Sequence, residues 1–266
     1  MSQLSFDSLF SQPEMPESSA VKPVFVTAVP HADVIAPSRP VRDSAVSPLD
    51  NHRKDFVKLF RETARYHNRY QVFRDFVTMA AVALENAFLQ CDELENEYFQ
   101  TIAGYEKDDL NRMARLLALV TEGLDAGMCD FLGSIFMELE IGSKDMGQFF
   151  TPFSLSELIA GLVMGQRVQE LADGALYVTL DEPTCGAGGM VIAAAKVLLD
   201  RGYNPQTQLL VQCTDLDPVA ARMCFVQLSL LGIPACVRIG NSLSQKITRE
   251  MYTPFWYRIK GSCRTF

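Results

Sequence analysis

Three glycines fall within four positions of the segment DEPTCGAGGM, residues 181–190, between an apolar run and a helical pattern of small residues. Glycine lets a backbone approach a ligand closely and accepts positive φ. Gly186, Gly188 and Gly189 form a GxGG pattern, whereas a dinucleotide-binding turn has the pattern GxGxxG, with the pyrophosphate on the helix N-terminus. We therefore expect a ligand without phosphates at this turn, and an NAD-type site is the weaker interpretation.

Three short apolar runs of the second half each end on a polar residue: ALYVTLD (175–181), QLLVQCTD (208–215) and ACVRIGN (235–241). Helical patterns that end at glycine separate these runs, which predicts parallel strands with crossover helices. Ligands of such sheets bind beyond the carboxyl ends of the strands. Asp215 is placed there to accept both hydroxyls of a ribose. Together with the glycine turn, it indicates an adenosine-type ligand.

Proline content divides the 266 residues into three parts, because seven of the 13 prolines lie in residues 1–48 and none lies between Pro48 and Pro152. Residues 1–49 are rich in Ser and Pro and predict a disordered tail. Residues 50–145 carry helical apolar stripes, as at Phe73, Phe76 and Val77, and predict a bundle of four or five helices. Residues 146–266 would contain the sheet.

Charge and cysteine content narrow the possible partners and location. The net charge of −8, with scattered basic residues, does not favour a protein that binds nucleic acid without a partner protein. The seven cysteines include no CxxC pair and no histidine follows His67, so we expect no metal site and reduced thiols that act as small hydrophobic residues. With no signal-peptide pattern and no apolar run approaching 18 residues, we expect a cytoplasmic protein without a membrane span.

Four segments occur in the order and spacing of the amino-type DNA methyltransferases: GQFFTP (147–152), DEPTCGAGGM (181–190), CTDLDP (213–218) and GNSL (240–243). The chain most resembles the N6-adenine methylase subunits of type I restriction-modification systems, over roughly residues 125–243. The resemblance implies an α/β fold in which an N-terminal helical bundle precedes a partial, Rossmann-like methyltransferase sheet. It also implies S-adenosylmethionine as the cofactor.

The resemblance also implies the residues of the cofactor site. They are Gln148, Phe149, Thr151, Asp181, Cys185, Gly186, Gly188, Asp215, Leu216 and Asn241.

Each part of the cofactor has an implied partner. Thr151 and Gln148 would hold its methionine end, beside Phe149 and Phe150 unless these rings are core residues. The main chain of Gly186 and Gly188 would touch the same moiety.

Asp181 would orient the cofactor's amino group or stabilise the turn. Asp215 would bind the ribose and Leu216 would cover the adenine. Asn241 stands where the family more often has Asp, and its amide oxygen would accept from the adenine amine.

The family's catalytic motif, Asn-Pro-Pro followed by an aromatic residue, is not found in this sequence, so we assign no catalytic residue. YTPFWY (252–257) stands at about the right distance, but Thr253 has no amide oxygen to hold the target base. Only FWYRI (255–259) could supply a fourth strand. We therefore expect an incomplete sheet, from a truncated descendant or from a chain that pairs with another protein.

These observations predict an S-adenosylmethionine-dependent DNA adenine N6-methyltransferase, or a subunit of one, that reaches DNA through a partner. The alternative is an inactive methylase-like module that binds or antagonises restriction-modification subunits. In either case we expect self-association or binding to a methylase- or specificity-type subunit.

Overall fold

The computed structural model describes residues 47–141 and 150–262, with side chains described as far as residue 258. The predicted tail therefore lies outside the described residues up to residue 46, as do Gln148 and Phe149 of the GQFFTP segment. The first part of the described chain is helical, as predicted. Its five helices are α1 (Pro48–Glu62), α2 (Arg69–Leu89), α3 (Asp92–Ile102), α4 (Lys107–Ala126) and α5 (Phe131–Glu138).

Helices and strands alternate in the second part of the chain. The helices are α6 (Phe153–Ala172), α7 (Gly189–Asp200), α8 (Pro205–Gln208), α9 (Pro218–Leu231) and α10 (Pro254–Ser262). The strands are β1 (Val178–Glu182), β2 (Leu209–Asp215), β3 (Ala235–Asn241) and β4 (Lys246–Tyr252).

The described strands form one sheet in the order β1-β2-β3-β4, and the first three are parallel. Leu180 pairs with Val211, and Cys213 pairs with Val237. The carboxyl ends of the three parallel strands consequently meet at one edge of the sheet. The predicted mixed α/β fold class is confirmed.

The prediction of a strand at residues 255–259 is wrong, because these residues lie in helix α10. The fourth strand is β4, which runs antiparallel to β3 after a four-residue loop, with Asn241 opposite Lys246. This strand was not predicted from the sequence, because strands were identified there as apolar runs and KITREMY contains three charged residues. Pro254, which opens the helix, favours the first turn of a helix and interrupts a strand ladder.

One hydrophobic core extends from the helical segment into the sheet. Phe56 of α1 makes edge-to-face ring contacts with Phe76 of α2 and Phe131 of α5, at centroid distances of 5.7 and 5.9 Å. The described residues belong to one compact unit. The boundary near residue 145 between a helical and a methyltransferase-like domain stays a prediction.

A network of ion pairs joins β4 to the helical layer. The Arg249 guanidinium donates to Glu85 of α2 and to Glu97 of α3, each at 2.7 Å, and Arg222 of α9 donates to Glu97 at 2.7 Å. Glu85 is 5 % exposed, and burial raises the pKa of its carboxyl group. The positive charge of Arg249 is therefore balanced by a buried carboxylate of α2 and a half-buried carboxylate of α3.

The outer edge of β1 has no neighbouring strand among the described residues. Helix α6, beside it, buries Ser156, Ala160, Met164 and Leu171 and yet exposes a second apolar face. The exposed apolar side chains of α6 and of the segment before β1 are Leu155, Leu158, Ile159, Leu162, Val163, Leu176 and Tyr177. A helix that is apolar on both faces is typical of one that is covered on both sides.

No described helix is long and apolar enough to cross a membrane.

The Arg249→Leu variant should lose about 3 kcal/mol of unfolding free energy, because it leaves the Glu85 carboxylate buried without its cation. The raised pKa of Glu85 should rise further in this variant. The loss of unfolding free energy relative to the native chain should therefore be smallest at acidic pH, where Glu85 is protonated. This loss should grow as the pH rises through the pKa of Glu85. Urea unfolding followed at several pH values measures both effects.

Two further variants provide controls. Adding Glu85→Gln to Arg249→Leu should restore part of the stability and remove the pH dependence. Arg167→Leu breaks an exposed ion pair with Glu170 and should cost at most about 1 kcal/mol. Equal losses for Arg167→Leu and Arg249→Leu would contradict the role given to the buried network.

Candidate cofactor-binding site

A cavity of about 770 Å³ opens beyond the carboxyl ends of the parallel strands. This size lies within the range of small-molecule and cofactor sites. Its lining residues are Asp130, Phe150, Thr151, Ser156, Glu182, Pro183, Thr184, Cys185, Gly186, Ala187, Gly189, Met190, Asp215, Leu216, Gly240, Asn241, Ser242 and Leu243. Thr151, Cys185, Gly186, Asp215, Leu216 and Asn241 had been predicted as site residues, and the fold brings these six together.

The glycine turn after β1 needs its glycines for two different reasons. Gly186 has φ +53°, and a Cβ atom there would lie 3.0 Å from the Phe150 ring. Gly188 has φ +95°, and a Cβ atom there would lie 3.0 Å from the Cys224 Sγ atom. Gly186 lines the cavity, whereas Gly188 is not among its lining residues. Gly188 thus allows the turn to pack onto α9.

Asp215, at the end of β2, holds the turn with its carboxylate. Its Oδ2 atom accepts from the Gly186 N–H at 2.8 Å, and its Oδ1 atom accepts from the Asp217 N–H at 2.9 Å. A carboxylate offers about four acceptor positions, so acceptor capacity remains for a ligand. Burial raises the pKa of Asp215. Hydrogen bonds from the hydroxyl groups of a ligand would stabilise the ionised form of Asp215 and offset this effect of burial.

A buried amide connects the opposite wall of the cavity to the turn. Gln227 of α9 is fully buried, and its Oε1 atom accepts from the Leu132 N–H at 3.0 Å. Its Nε2 atom donates to Asp130 Oδ1 at 2.9 Å and to the Ala187 carbonyl at 2.8 Å. Asp130 also caps α5 by accepting from the Gly133 N–H at 2.8 Å.

The first turn of α6 supplies a third wall. Thr151 precedes this helix, and Ser156 lies in its first turns with only 1 % of its surface exposed. Within the described chain the Ser156 hydroxyl has no hydrogen-bond partner, although it lines the cavity. From the sequence, Phe150 was expected either to lie beside the cofactor or to be a core residue, and its position fits both. It lines the cavity and makes an edge-to-face contact with Phe136 at 5.3 Å.

Asn241, at the end of β3, uses its side-chain oxygen within its own turn. Oδ1 accepts from the Leu243 and Ser244 N–H groups, each at 3.0 Å. These two bonds occupy both lone pairs of the oxygen. The amide nitrogen is therefore the free hydrogen-bonding group, and the predicted acceptance of an adenine amine by the oxygen is not available in this arrangement.

Asp181 is not among the residues that line the cavity, and its carboxylate accepts from Gln212 Nε2 of the neighbouring strand at 3.0 Å. Glu182 lies at the cavity instead. The strand predicted from the sequence ends at Asp181, one residue before the actual end of β1 at Glu182. Because successive side chains of a strand point to opposite faces, that shift assigned the site to Asp181 instead of Glu182. A cofactor role of Asp181 stays a prediction that this geometry does not support.

Asp130, Glu182 and Ser156 are cavity residues that the sequence did not reveal. Asp130 could have been recognised only as a helix N-cap, because it precedes the apolar segment FLGSIF. Ser156 carries no motif of its own.

The family model described as N-6 DNA Methylase matches residues 135–255, which include all of the cavity residues that follow α5. The match covers less than half of the chain, and it shows that this segment is similar to the N-6 DNA methylase family. The resemblance predicted from the four motifs is confirmed.

Two solved structures are similar to the chain at low identity. One is a candidate class I S-adenosylmethionine-dependent methyltransferase from Listeria monocytogenes, with 13% identity and a TM-score of 0.41 over 74% of this chain and 55% of that chain. The other is a type I restriction-modification methyltransferase subunit from Streptococcus thermophilus, with 12% identity and a TM-score of 0.36 over 70% of this chain and 56% of that chain. The present chain thus matches about half the length of each. No curated protein matches it.

The run YTPFWY (252–257) is not at the cavity. The Thr253 hydroxyl donates to the Ile233 carbonyl at 2.8 Å and accepts from the Ala235 N–H at 2.9 Å, at the amino end of β3. Since β3 has seven residues, this position lies about 20 Å along the strand from the cavity. At that distance Thr253 cannot hold a target base at the cavity. The antiparallel course of β4 carries the chain away from the site.

The Gln227→Met variant should lose about 3–6 kcal/mol of unfolding free energy, because it removes three buried hydrogen bonds from a side chain of similar length. Ser229→Ala, in the same helix, is the matched control. The buried Ser229 hydroxyl has no hydrogen-bond partner within the described chain, so its removal should be neutral or stabilising. Chemical unfolding of the two variants makes the comparison, and similar losses in both would contradict the special role of Gln227.

Proposed function

We propose that this chain binds S-adenosylmethionine in the cavity and serves as the cofactor-binding subunit of a DNA adenine N6-methyltransferase. The methylase match to residues 135–255 supports the reaction class. The observation that carries the cofactor assignment is the pairing of Asp215 with the glycine turn, which leaves acceptor positions directed at a ligand.

The lining of the cavity suits an adenosine. The Asp215 carboxylate would accept from the ribose hydroxyls with its remaining acceptor capacity. Leu216 is 70 % exposed and would gain apolar contact by covering one face of the adenine. The free amide N–H group of Asn241 would donate to an acceptor nitrogen of the adenine ring.

The opposite side of the cavity suits an amino acid. Asp130 and Glu182 would attract the ammonium group of the methionine moiety. Its carboxylate would be held by Thr151, by the Ser156 hydroxyl and by the N-terminus of α6, where free N–H groups favour an anion. The unpartnered Ser156 hydroxyl is the second observation in favour of a polar ligand here.

When bound, S-adenosylmethionine supplies a methyl group carried on a positively charged sulfur atom. The role that we assign to this chain is to bind and orient the cofactor. The side chain that holds the target adenine would come from a partner, since YTPFWY lies at the other end of β3.

Association with another protein is the second part of the proposal. Within the described residues no strand pairs with the outer edge of β1, and the apolar face of α6 lies next to it. Both features are typical of surfaces covered by another chain. We infer that a second copy of this chain, or a methylase- or specificity-type subunit, covers this surface. With a net charge of −8, contact with DNA would also depend on such a partner.

The location of YTPFWY also favours a second function, an inactive module that binds the cofactor and restriction-modification subunits. A tritium-transfer assay on adenine-rich DNA, with the chain alone and with methylase and specificity subunits added, separates the two. Transfer that requires this chain supports the enzyme subunit. Tight cofactor binding without transfer in any mixture supports the inactive module.

The Asp215→Asn variant should bind S-adenosylmethionine more weakly by about 1–3 kcal/mol, because an amide is a poorer acceptor for the ribose hydroxyls. The native chain should also lose affinity as the pH falls, beginning at a higher pH than for an ordinary aspartate, since its pKa is raised and binding needs the ionised form. The variant should lack this pH dependence. Isothermal titration across acidic and neutral pH measures both.

Asp181→Asn is the matched control for Asp215→Asn. Asp181 is the last residue but one of the neighbouring strand β1 and does not line the cavity, so its substitution should leave the affinity unchanged. If Asp215→Asn bound the cofactor as tightly as the native chain, the assigned ribose site would be wrong.

The variant Leu158→Asp/Leu162→Asp should reduce association without unfolding the chain, because both side chains are exposed on α6, by 61 % and 76 %. We expect the native chain to scatter light as a species larger than 29.6 kDa at micromolar concentration, or to elute with a methylase or specificity subunit. A native chain that stays at 29.6 kDa with those subunits present would contradict the inferred surface.

A further inference from the structure

Three cysteines that are distant in the sequence come together behind the glycine turn. Cys185 lies in the turn after β1, Cys213 lies in β2, and Cys224 lies in α9. Their Sγ atoms all lie within 4.8 Å of one another, and the three side chains are buried. The sequence predicted separate, inert thiols, because no two of these residues have the spacing of a local metal motif.

We propose that Cys185, Cys213 and Cys224 form a binding site for a thiophilic divalent cation such as Zn²⁺. Three thiolates bound to one zinc ion at about 2.3 Å stand about 4 Å apart, which the present separations accommodate. Soft thiolate ligands select such ions over Mg²⁺ or Ca²⁺. All three cysteines are free, so no disulfide competes for the sulfur atoms.

The position of the cluster allows an ion to enter and complete its coordination. Cys185 lines the cavity, so the cluster adjoins a route from solvent. A zinc site with three protein ligands keeps an open position for water or another ligand, and the cavity provides space for one.

Binding replaces protons with the metal and moves no electrons. Three S–H bonds release their protons to solvent, and three metal–sulfur bonds form. Because three protons leave, the affinity for the ion should rise by up to about a thousandfold per pH unit.

An ion at this site would fasten the glycine turn to β2 and α9 at a point that the hydrogen bonds of Asp215 and Gln227 do not reach. Because an ion held by these three residues binds the folded chain, its binding adds to the stability of the fold. This inference does not depend on S-adenosylmethionine, and it is tested without that cofactor.

Cd²⁺ and Zn²⁺ are the probes, with Mg²⁺ as the hard-ion control. The chain carrying Cys91→Ala and Cys263→Ala, which removes two thiols outside the cluster, is titrated at about pH 8 under reducing conditions. We expect one Cd²⁺ per chain with a sulfur-to-cadmium charge-transfer absorption in the near ultraviolet. We also expect release of protons, a higher melting temperature and no response to Mg²⁺.

Cys213→Ala and Cys236→Ala are a matched pair, because both residues are fully buried in adjacent strands and only Cys213 belongs to the cluster. Cys213→Ala should abolish the absorption, and Cys236→Ala should retain it. If Cys213→Ala fails to fold, Cys224→Ala replaces it. Absence of Cd²⁺ binding by the folded parent chain would overturn the proposal, as would equal binding by both variants of the pair.

Discussion

The buried amide of Gln227 is the interaction on which the cavity depends. It lies in α9, and it joins the amino end of α5, the carboxylate of Asp130 and the carbonyl of Ala187 in the glycine turn. An amide is well suited to this position, because it supplies one acceptor and two donors without a charge. On the other side of the turn, Asp215 accepts from Gly186. The turn is thus fixed from both sides by groups outside it, and the helical segment becomes a wall of the site.

Local patterns predicted the parts of the fold that are apolar and regular. The three parallel strands were predicted because each is a short apolar run ending on a polar residue, and Asp215 followed from that placement. The glycine turn was recognised by the spacing of Gly186 and Gly188. The reason for Gly188, its close approach to Cys224, could not be predicted, because it depends on where α9 packs.

Strand β4 shows the limit of such reading. Its sequence has three charged residues, and Arg249 is accommodated by the buried Glu85 of α2 and the half-buried Glu97 of α3. The antiparallel direction of β4 then decides where the aromatic run after it lies. The same limit applies to Glu182, Ser156 and the three clustered cysteines. Each acquires its role from neighbours that are distant in the sequence.

The position of β1 has a consequence for how the two binding events influence each other. This strand is both the open edge of the described sheet and the strand that leads into the glycine turn. A strand added to that edge would restrict the motion of β1 and hence of the turn, so that a cofactor would lose less conformational freedom on binding. Thermodynamic linkage requires the effect to be reciprocal, so bound cofactor would raise the affinity of β1 for the added strand by the same factor. Assembly and cofactor loading would then be a single coupled equilibrium.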